Sequence, residues 1–97
     1  MGVHHVYTIW YSVLSKYVYI LMFILYTKNN CIYCDKVKDA FLHLGVAYEE
    51  RNIGNNVYLD EARAQGARTM PFLVDTTANV MMGESDDIIA YAQEGSF

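Results

Sequence analysis

The sequence is poor in the residues that would cross-link a small chain or give it a strongly charged surface. Its 97 residues include two cysteines, one proline and seven basic side chains, with a net charge of −4. No stretch is dense in lysine or arginine, which argues against nucleic-acid binding. A disulfide between Cys31 and Cys34 would close too short a loop to stabilise the fold much. Few cysteines and no secretory signature favour a reducing, cytoplasmic setting.

Apolar residues are most concentrated at the N-terminus. Residues 1–21 are rich in aromatic and β-branched side chains, with Lys16 as their one charged residue other than histidine. A membrane span needs about 20 mostly apolar residues. Residues 6–26 are long enough, but polar residues interrupt them and their last third is needed for the first strand. We therefore expect an N-terminal extension over residues 1–21 and one domain over residues 22–97. The extension would precede a natural start at Met22 or pack on the sheet, and a membrane anchor is the less favoured alternative.

The rest of the chain predicts seven elements in one α/β domain. An apolar run ends at Tyr26, and apolar residues then recur at helical spacing from Val37 to Leu44, so a strand leads into a helix over residues 31–44. Gly45 would end that helix. We further expect strands over 46–53, 72–74 and 80–82, a helix over 57–65, and a last helix capped by residues 85–87. This β-α-β-α-β-β-α order predicts a mixed four-stranded sheet flanked by three helices.

Cys31 and Cys34 fall where the first strand gives way to the first helix. Unpaired N–H groups and the helix dipole stabilise an anion there, so we expect a nucleophilic thiolate. A zinc site would need four ligands, and the only histidines, His4, His5 and His43, are poorly placed to complete one. A CxxC within a βαβ pattern therefore favours thiol–disulfide chemistry without a metal.

Three further features could build a binding site around the thiols. Lys28 lies three positions before the first cysteine, where its ammonium could bind a carboxylate or be a solvated loop charge. Met70 precedes the only proline, Pro71, so its extended main chain could pair with a ligand. The acidic start of the last helix, at Ser85 and Asp86, is either a simple cap or a site for a group that carries both a carboxylate and an ammonium.

Together these stretches resemble the glutaredoxins. The matching motifs are residues 26–34, 68–71 and 83–87, in the family's order and spacing, and the resemblance covers residues 22–92. It implies a thioredoxin-like fold with Pro71 in cis, an exposed nucleophile at Cys31, and a more buried Cys34. It also implies a glutathione groove, in which Arg63 or Arg68 could assist Lys28 with the glycyl carboxylate. The groove residues would be Lys28, Tyr33, Arg68, Thr69, Met70, Pro71, Gly83, Ser85 and Asp86.

Two positions depart from the family pattern. Ile32 stands where the common motif has proline, which should change the redox potential. Some glutaredoxins without that proline bind an iron–sulfur cluster that is shared between two chains and glutathione. Glu84 stands where many members have a second glycine, and it would crowd or recharge the rim of the γ-glutamyl site.

The resemblance implies a monomeric, glutathione-dependent oxidoreductase that reduces disulfide-bonded or glutathionylated proteins. Two alternatives stay open. The run over residues 63–68 also occurs in glutaredoxin-like donors that thioredoxin reductase reduces and that serve ribonucleotide reductase, although the acidic residues 85–87 favour glutathione. The third hypothesis is a dimer bridged by a [2Fe–2S] cluster, acting as a carrier or sensor.

Overall fold

The computed structural model describes residues 23–94, so the extension predicted over residues 1–21 lies outside the described part. The elements follow the predicted order: β1 (Phe23–Thr27), α1 (Ile32–Leu44), β2 (Glu49–Asn52), α2 (Asn56–Ala64), β3 (Phe72–Asp75), β4 (Val80–Met82) and α3 (Ser85–Glu94). None of the helices described here is long and apolar enough to cross a bilayer.

The four strands form one mixed sheet in the order β2-β1-β3-β4. β1 pairs in parallel with β2, with Ile24 opposite Glu49, and antiparallel with β3, with Leu25 opposite Leu73. β4 is antiparallel to β3 and therefore runs parallel to β1. The C-terminal ends of β1 and β4 and the N-terminal end of β3 therefore lie at the same edge of the sheet.

Both faces of the sheet are covered by apolar side chains. Successive residues of a strand point to opposite faces, so Leu25 and Tyr26, exposed by 0% and 1%, enter separate core clusters. The Leu25 cluster joins α1 to α3 through Val37, Phe41, Ile88 and Ala92. The Tyr26 cluster contains both cysteines and residues from α2 and β3.

The ends of α1 follow from local chemistry. Cys31 is its N-cap, and Gly45 ends it in the left-handed conformation with φ of 71°, which glycine adopts without strain. The Val46 N–H then donates to the Phe41 carbonyl oxygen. The predicted strand over 46–53 is therefore too long, because Val46 still completes the helix end and pairing with β1 runs only from Glu49 to Asn52.

The start of α3 differs from the predicted capping by residues 85–87. Ser85 is already the first helical residue, and the Ile88 N–H donates to the Glu84 carbonyl oxygen at 3.0 Å. The residue whose carbonyl accepts the first helical bond occupies the N-cap position, so that position belongs to Glu84. Asp86 and Asp87 lie in the first turn, where the helix dipole favours negative charge.

Asp75 fixes the turn between β3 and β4. It is the last residue of β3 and only 4% exposed, and its Oδ1 accepts hydrogen bonds from the main-chain N–H groups of Thr77 and Ala78. The Tyr91 hydroxyl donates to Asp75 Oδ2 at 2.6 Å. This hydrogen bond, together with burial, raises the pKa of Tyr91 to about 12.

Candidate active site

The candidate site lies at the sheet edge where β1 and β4 end and β3 begins. Residues from all three places line a groove of about 530 Å³. Since neighbouring strands are roughly 4.8 Å apart, the segment after β1 and the start of α3 face each other across the start of β3. The lining residues are Lys28, Tyr33, Thr69, Met70, Pro71, Glu84, Ser85 and Asp86.

The two cysteines are joined by a disulfide at the start of α1, with their Cα atoms 5.2 Å apart. As the N-cap, Cys31 has an extended backbone, and its Sγ accepts a hydrogen bond from the Cys34 main-chain N–H at 3.1 Å. A main-chain donor at a helix start also stabilises a thiolate when the disulfide opens. The geometry therefore favours Cys31 as the sulfur that carries negative charge in the reduced protein.

The resemblance implied that Cys31 is exposed, and this prediction is wrong for the structure, in which Cys31 forms a disulfide. Cys31 is only 6% exposed and Cys34 only 1%. Between them, Ile32 and Tyr33 are 79% and 60% exposed. Cys31 is covered because its sulfur is bonded to Cys34 and packs beside Met70. The predicted order, with Cys34 the more buried, is confirmed.

The peptide bond between Met70 and Pro71 is cis, as the family resemblance implied. The Met70 carbonyl oxygen lies 3.8 Å from Cys31 Sγ. Because a disulfide sulfur carries no proton, this approach is a contact and not a hydrogen bond in the oxidised form. It places the start of β3 directly against the reactive sulfur, so a chain bonded to Cys31 would run past Met70.

The structure brings most of the predicted binding residues together. Seven of the nine predicted groove residues line it: Lys28, Tyr33, Thr69, Met70, Pro71, Ser85 and Asp86. Arg68 and Arg63 are exposed and Gly83 is half-buried, and none of the three belongs to this lining, so the structure gives their predicted role no support. Glu84 lines the groove in place of Gly83.

Lys36 is a residue that the sequence argument did not select. Its Nζ lies 2.6 Å from Asp86 Oδ1, which links the first half of α1 to the first turn of α3 across the groove rim. The sequence signal was available but weak: Lys36 directly precedes Val37, and Asp86 precedes Ile88 by two positions. Because Val37 and Ile88 share one core cluster, their polar neighbours come close as well.

A hydrogen-bonded network supports β1 beneath the cysteines. The Tyr26 hydroxyl donates to Glu61 Oε1 and accepts from Gln65 Nε2, each at 3.0 Å, and this ties β1 to α2. Burial, followed by the bond to Glu61, raises the pKa of Tyr26. Arg51 of β2 also donates to Glu61 at 2.7 Å, so the Glu61 carboxylate is shared by two strands. This network holds the strand that delivers Lys28 and Cys31.

The residues present do not fit an iron–sulfur cluster on their own. Such a cluster takes four thiolates, whereas this chain has two cysteines, which the structure pairs with each other. The bridged dimer would therefore need further thiolates, from a second chain and from glutathione. In residues 23–94, no group of three or more histidine, cysteine or acidic side chains is arranged to hold a metal.

A CxxC pair at the start of a helix, held beside a cis-proline segment on a mixed four-stranded sheet, defines a thioredoxin-fold redox protein of the glutaredoxin type. The comparison with protein families is consistent with this class. The family model described as the glutathione S-transferase N-terminal domain matches residues 25–95, and the chain belongs to that family. A search of curated proteins gives no significant match.

Solved structures with the same fold include several glutaredoxins. The glutaredoxin-like NrdH-redoxin of Escherichia coli is 25% identical, with a TM-score of 0.61 over 70% of this chain and 91% of that one. Oxidised glutaredoxin 2 of Chlamydomonas reinhardtii is 25% identical, with a TM-score of 0.57 over 88% and 83%. A buckwheat glutaredoxin–glutathione complex, 22% identical with a TM-score of 0.59 over 76% and 70%, supports the fold alone.

Proposed function

We propose that this protein is a glutathione-dependent thiol–disulfide oxidoreductase that reduces protein disulfides and glutathione mixed disulfides. One observation carries the proposal: the Cys31–Cys34 pair adjoins a groove whose lining combines a cation, Lys28, with the carboxylates of Glu84 and Asp86. Glutathione carries matching charges, with a carboxylate at its glycyl end and an ammonium and a second carboxylate at its γ-glutamyl end.

The dimensions of the groove suit an extended tripeptide with its sulfur at Cys31. The segments that follow β1 and β4 are about two strand spacings apart, roughly 10 Å. Three α-linked residues reach about that far, and the γ-linkage of glutathione extends its reach further. In this pose Lys28 pairs with the glycyl carboxylate, and the main chain of Met70 pairs with the cysteinyl residue. Ser85 and Asp86, at the start of α3, hold the γ-glutamyl end, where helix N–H groups also attract its carboxylate.

Catalysis then proceeds by thiolate exchange. The Cys31 thiolate attacks the glutathione sulfur of a glutathionylated protein, forms a Cys31–glutathione disulfide and releases the protein thiolate, which takes up a proton. A second glutathione thiolate attacks the glutathione sulfur of this mixed disulfide, so that glutathione disulfide leaves and the Cys31 thiolate returns. Alternatively, Cys34 displaces glutathione from Cys31, and two glutathione molecules then reduce the Cys31–Cys34 disulfide.

A second function is favoured by a specific observation. The E. coli protein named above, a glutaredoxin-like protein with a thioredoxin-like activity profile, covers 70% of this chain at 25% identity. A related role for this chain would be as an electron donor to ribonucleotide reductase, reduced by thioredoxin reductase. Asp86 and Glu84 in the groove favour glutathione, because they offer partners for an ammonium group.

The experiment is a reduction assay with glutathione, NADPH and glutathione reductase, on a glutathione mixed disulfide of a small thiol. The wild-type protein, Cys31→Ser and Cys34→Ser are compared. We expect Cys31→Ser to be inactive and Cys34→Ser to keep most of the activity, because only Cys31 carries the mixed disulfide. Full activity of Cys31→Ser would refute the assignment.

A further inference from the structure

We infer that Lys36 sets how strongly the groove selects a ligand end that carries an ammonium group. The inference deepens the proposed function and rests on it. Its basis is the ion pair between Lys36 and Asp86, because Asp86 lines the groove and Lys36 does not. Lys36 therefore acts on the ligand through Asp86, as a positioning residue.

The core below this ion pair brings the two helices together at this point. Val37 and Ile88 are both 0% exposed and belong to one apolar cluster, which locks α1 against α3. Lys36 is the residue before Val37, and Asp86 is two positions before Ile88. The two charged side chains are 51% and 82% exposed, yet their Nζ and Oδ1 atoms lie only 2.6 Å apart. Helix packing thus brings the two side chains within reach of each other, and their attraction forms the pair.

An ammonium on the ligand must share the Asp86 carboxylate with the Lys36 ammonium. Like charges on one carboxylate repel each other, and Lys36 already offsets part of the attraction that Asp86 would exert on a ligand ammonium. Because both side chains are exposed, the effect is on the scale of a surface ion pair, a few-fold in affinity. Lys36 thus weakens selection for the ammonium without contacting the ligand.

Lys38 provides a matched control on the same helix. Its Nζ lies 3.2 Å from Glu50 and 3.7 Å from Asp35, and it does not line the groove. Lys38→Met therefore removes the same charge from α1 as Lys36→Met does, but leaves Asp86 paired. Lys36→Arg keeps the charge beside Asp86 and serves as the conservative variant.

The test measures dissociation constants by NMR titration with two unreactive probes. One probe is S-methylglutathione, and the other is its analogue in which hydrogen replaces the γ-glutamyl ammonium. We expect Lys36→Met to increase the preference for S-methylglutathione over the analogue about two- to fivefold. Lys36→Arg and Lys38→Met should keep the wild-type preference. In an Asp86→Asn background, Lys36→Met should have no further effect on the preference.

Two results would overturn the inference. One is a preference for S-methylglutathione over the analogue that is unchanged or lower in Lys36→Met. The other is an equal rise of this preference in Lys38→Met, which would show that the effect comes from the net charge and not from the pairing with Asp86. The glutathione-coupled assay distinguishes failure of this inference from failure of the proposed function. If the wild-type protein turns over mixed disulfides while Lys36→Met leaves the preference unchanged, only the inference fails. If the wild-type protein binds neither probe and shows no turnover, both fail.

Discussion

The main-chain N–H of Cys34 donates a hydrogen bond to Cys31 Sγ at 3.1 Å. The donor belongs to the backbone of the first turn of α1, so neither reduction of the disulfide nor replacement of the Cys34 side chain removes it. It points at the sulfur that adjoins the groove. The asymmetry between the two cysteines is therefore built into the helix start and does not depend on a charged side chain nearby.

This relationship predicts selective alkylation of the reduced protein. With iodoacetamide, Cys31 should be modified faster than Cys34, with a pH midpoint below the value near 8.5 of an ordinary thiol. Mass spectrometry of the digested protein assigns the site, and Cys34→Ser should keep the same profile because its backbone donor is retained. A Cys31 profile with an ordinary midpoint would contradict the argument.

Lys28 should contribute to the binding of glutathione, and Arg68 should contribute less. Lys28→Gln removes a cation that lines the groove, whereas Arg68→Gln removes the same charge from an exposed position outside that lining. We expect the KM for glutathione to rise about threefold to fivefold in Lys28→Gln, the scale of one exposed ion pair, and less than twofold in Arg68→Gln. Steady-state kinetics of both variants give the comparison, and equal effects would show that the site is wrongly placed.

The Tyr91–Asp75 hydrogen bond predicts a pH dependence of stability. The fold raises the pKa of Tyr91 from 10.0 to about 12, so it favours the neutral hydroxyl. Its contribution is complete below pH 10 and is lost as the pH rises from 10 to about 12. Tyr91→Phe should lower the free energy of unfolding by about 1–2 kcal/mol at pH 8.

Urea unfolding at several pH values measures this difference for the wild-type protein and Tyr91→Phe. The other tyrosines titrate in both proteins and cancel in the comparison. The gap between the two proteins should narrow between pH 10 and 12. If the difference in the free energy of unfolding stays constant or widens over this range, the Tyr91–Asp75 hydrogen bond is not its cause.

Asn55 should stabilise α2 as its N-cap. Its side-chain oxygen accepts a hydrogen bond from the Val57 N–H at 2.9 Å. Asn55→Ala should therefore lower the free energy of unfolding by about 1 kcal/mol. Asn56→Ala, at the first helical position, is the matched control and should change stability by less than half as much. Thermal unfolding of both variants at one pH tests this, and equal losses would argue against a capping role.

Residue patterns predicted the strands and helices, because these follow from local signals, whereas most of the groove residues were predicted from the resemblance to the glutaredoxins. Apolar residues recur at helical spacing from Val37 to Leu44, and within this run Val37 and Phe41 are both 0% exposed. Leu44 continues the same spacing but is 43% exposed, because it is the last residue of the helix. The periodicity of apolar residues identifies one face of a helix, but it does not show how far along the helix other elements bury that face.

What the sequence could not predict depends on contacts between distant segments. The length of β2 is set by its register with β1, and the burial of Cys31 depends on Met70, which is 39 positions away. The ion pair between Lys36 and Asp86 requires the packing of α1 on α3. The first two relationships leave no periodic or motif signal along the chain, and the ion pair leaves only a weak one, the position of each charged residue beside a core residue.

The most direct test of the proposed function compares how two reducing systems, used separately, reduce the Cys31–Cys34 disulfide. Oxidised protein is incubated either with glutathione, NADPH and glutathione reductase, or with NADPH and thioredoxin reductase, and its free thiols are counted by mass after alkylation. We expect rapid appearance of both thiols with glutathione and little reduction by thioredoxin reductase. Reduction by thioredoxin reductase alone, with no response to glutathione, would contradict the glutathione assignment and favour the electron-donor alternative.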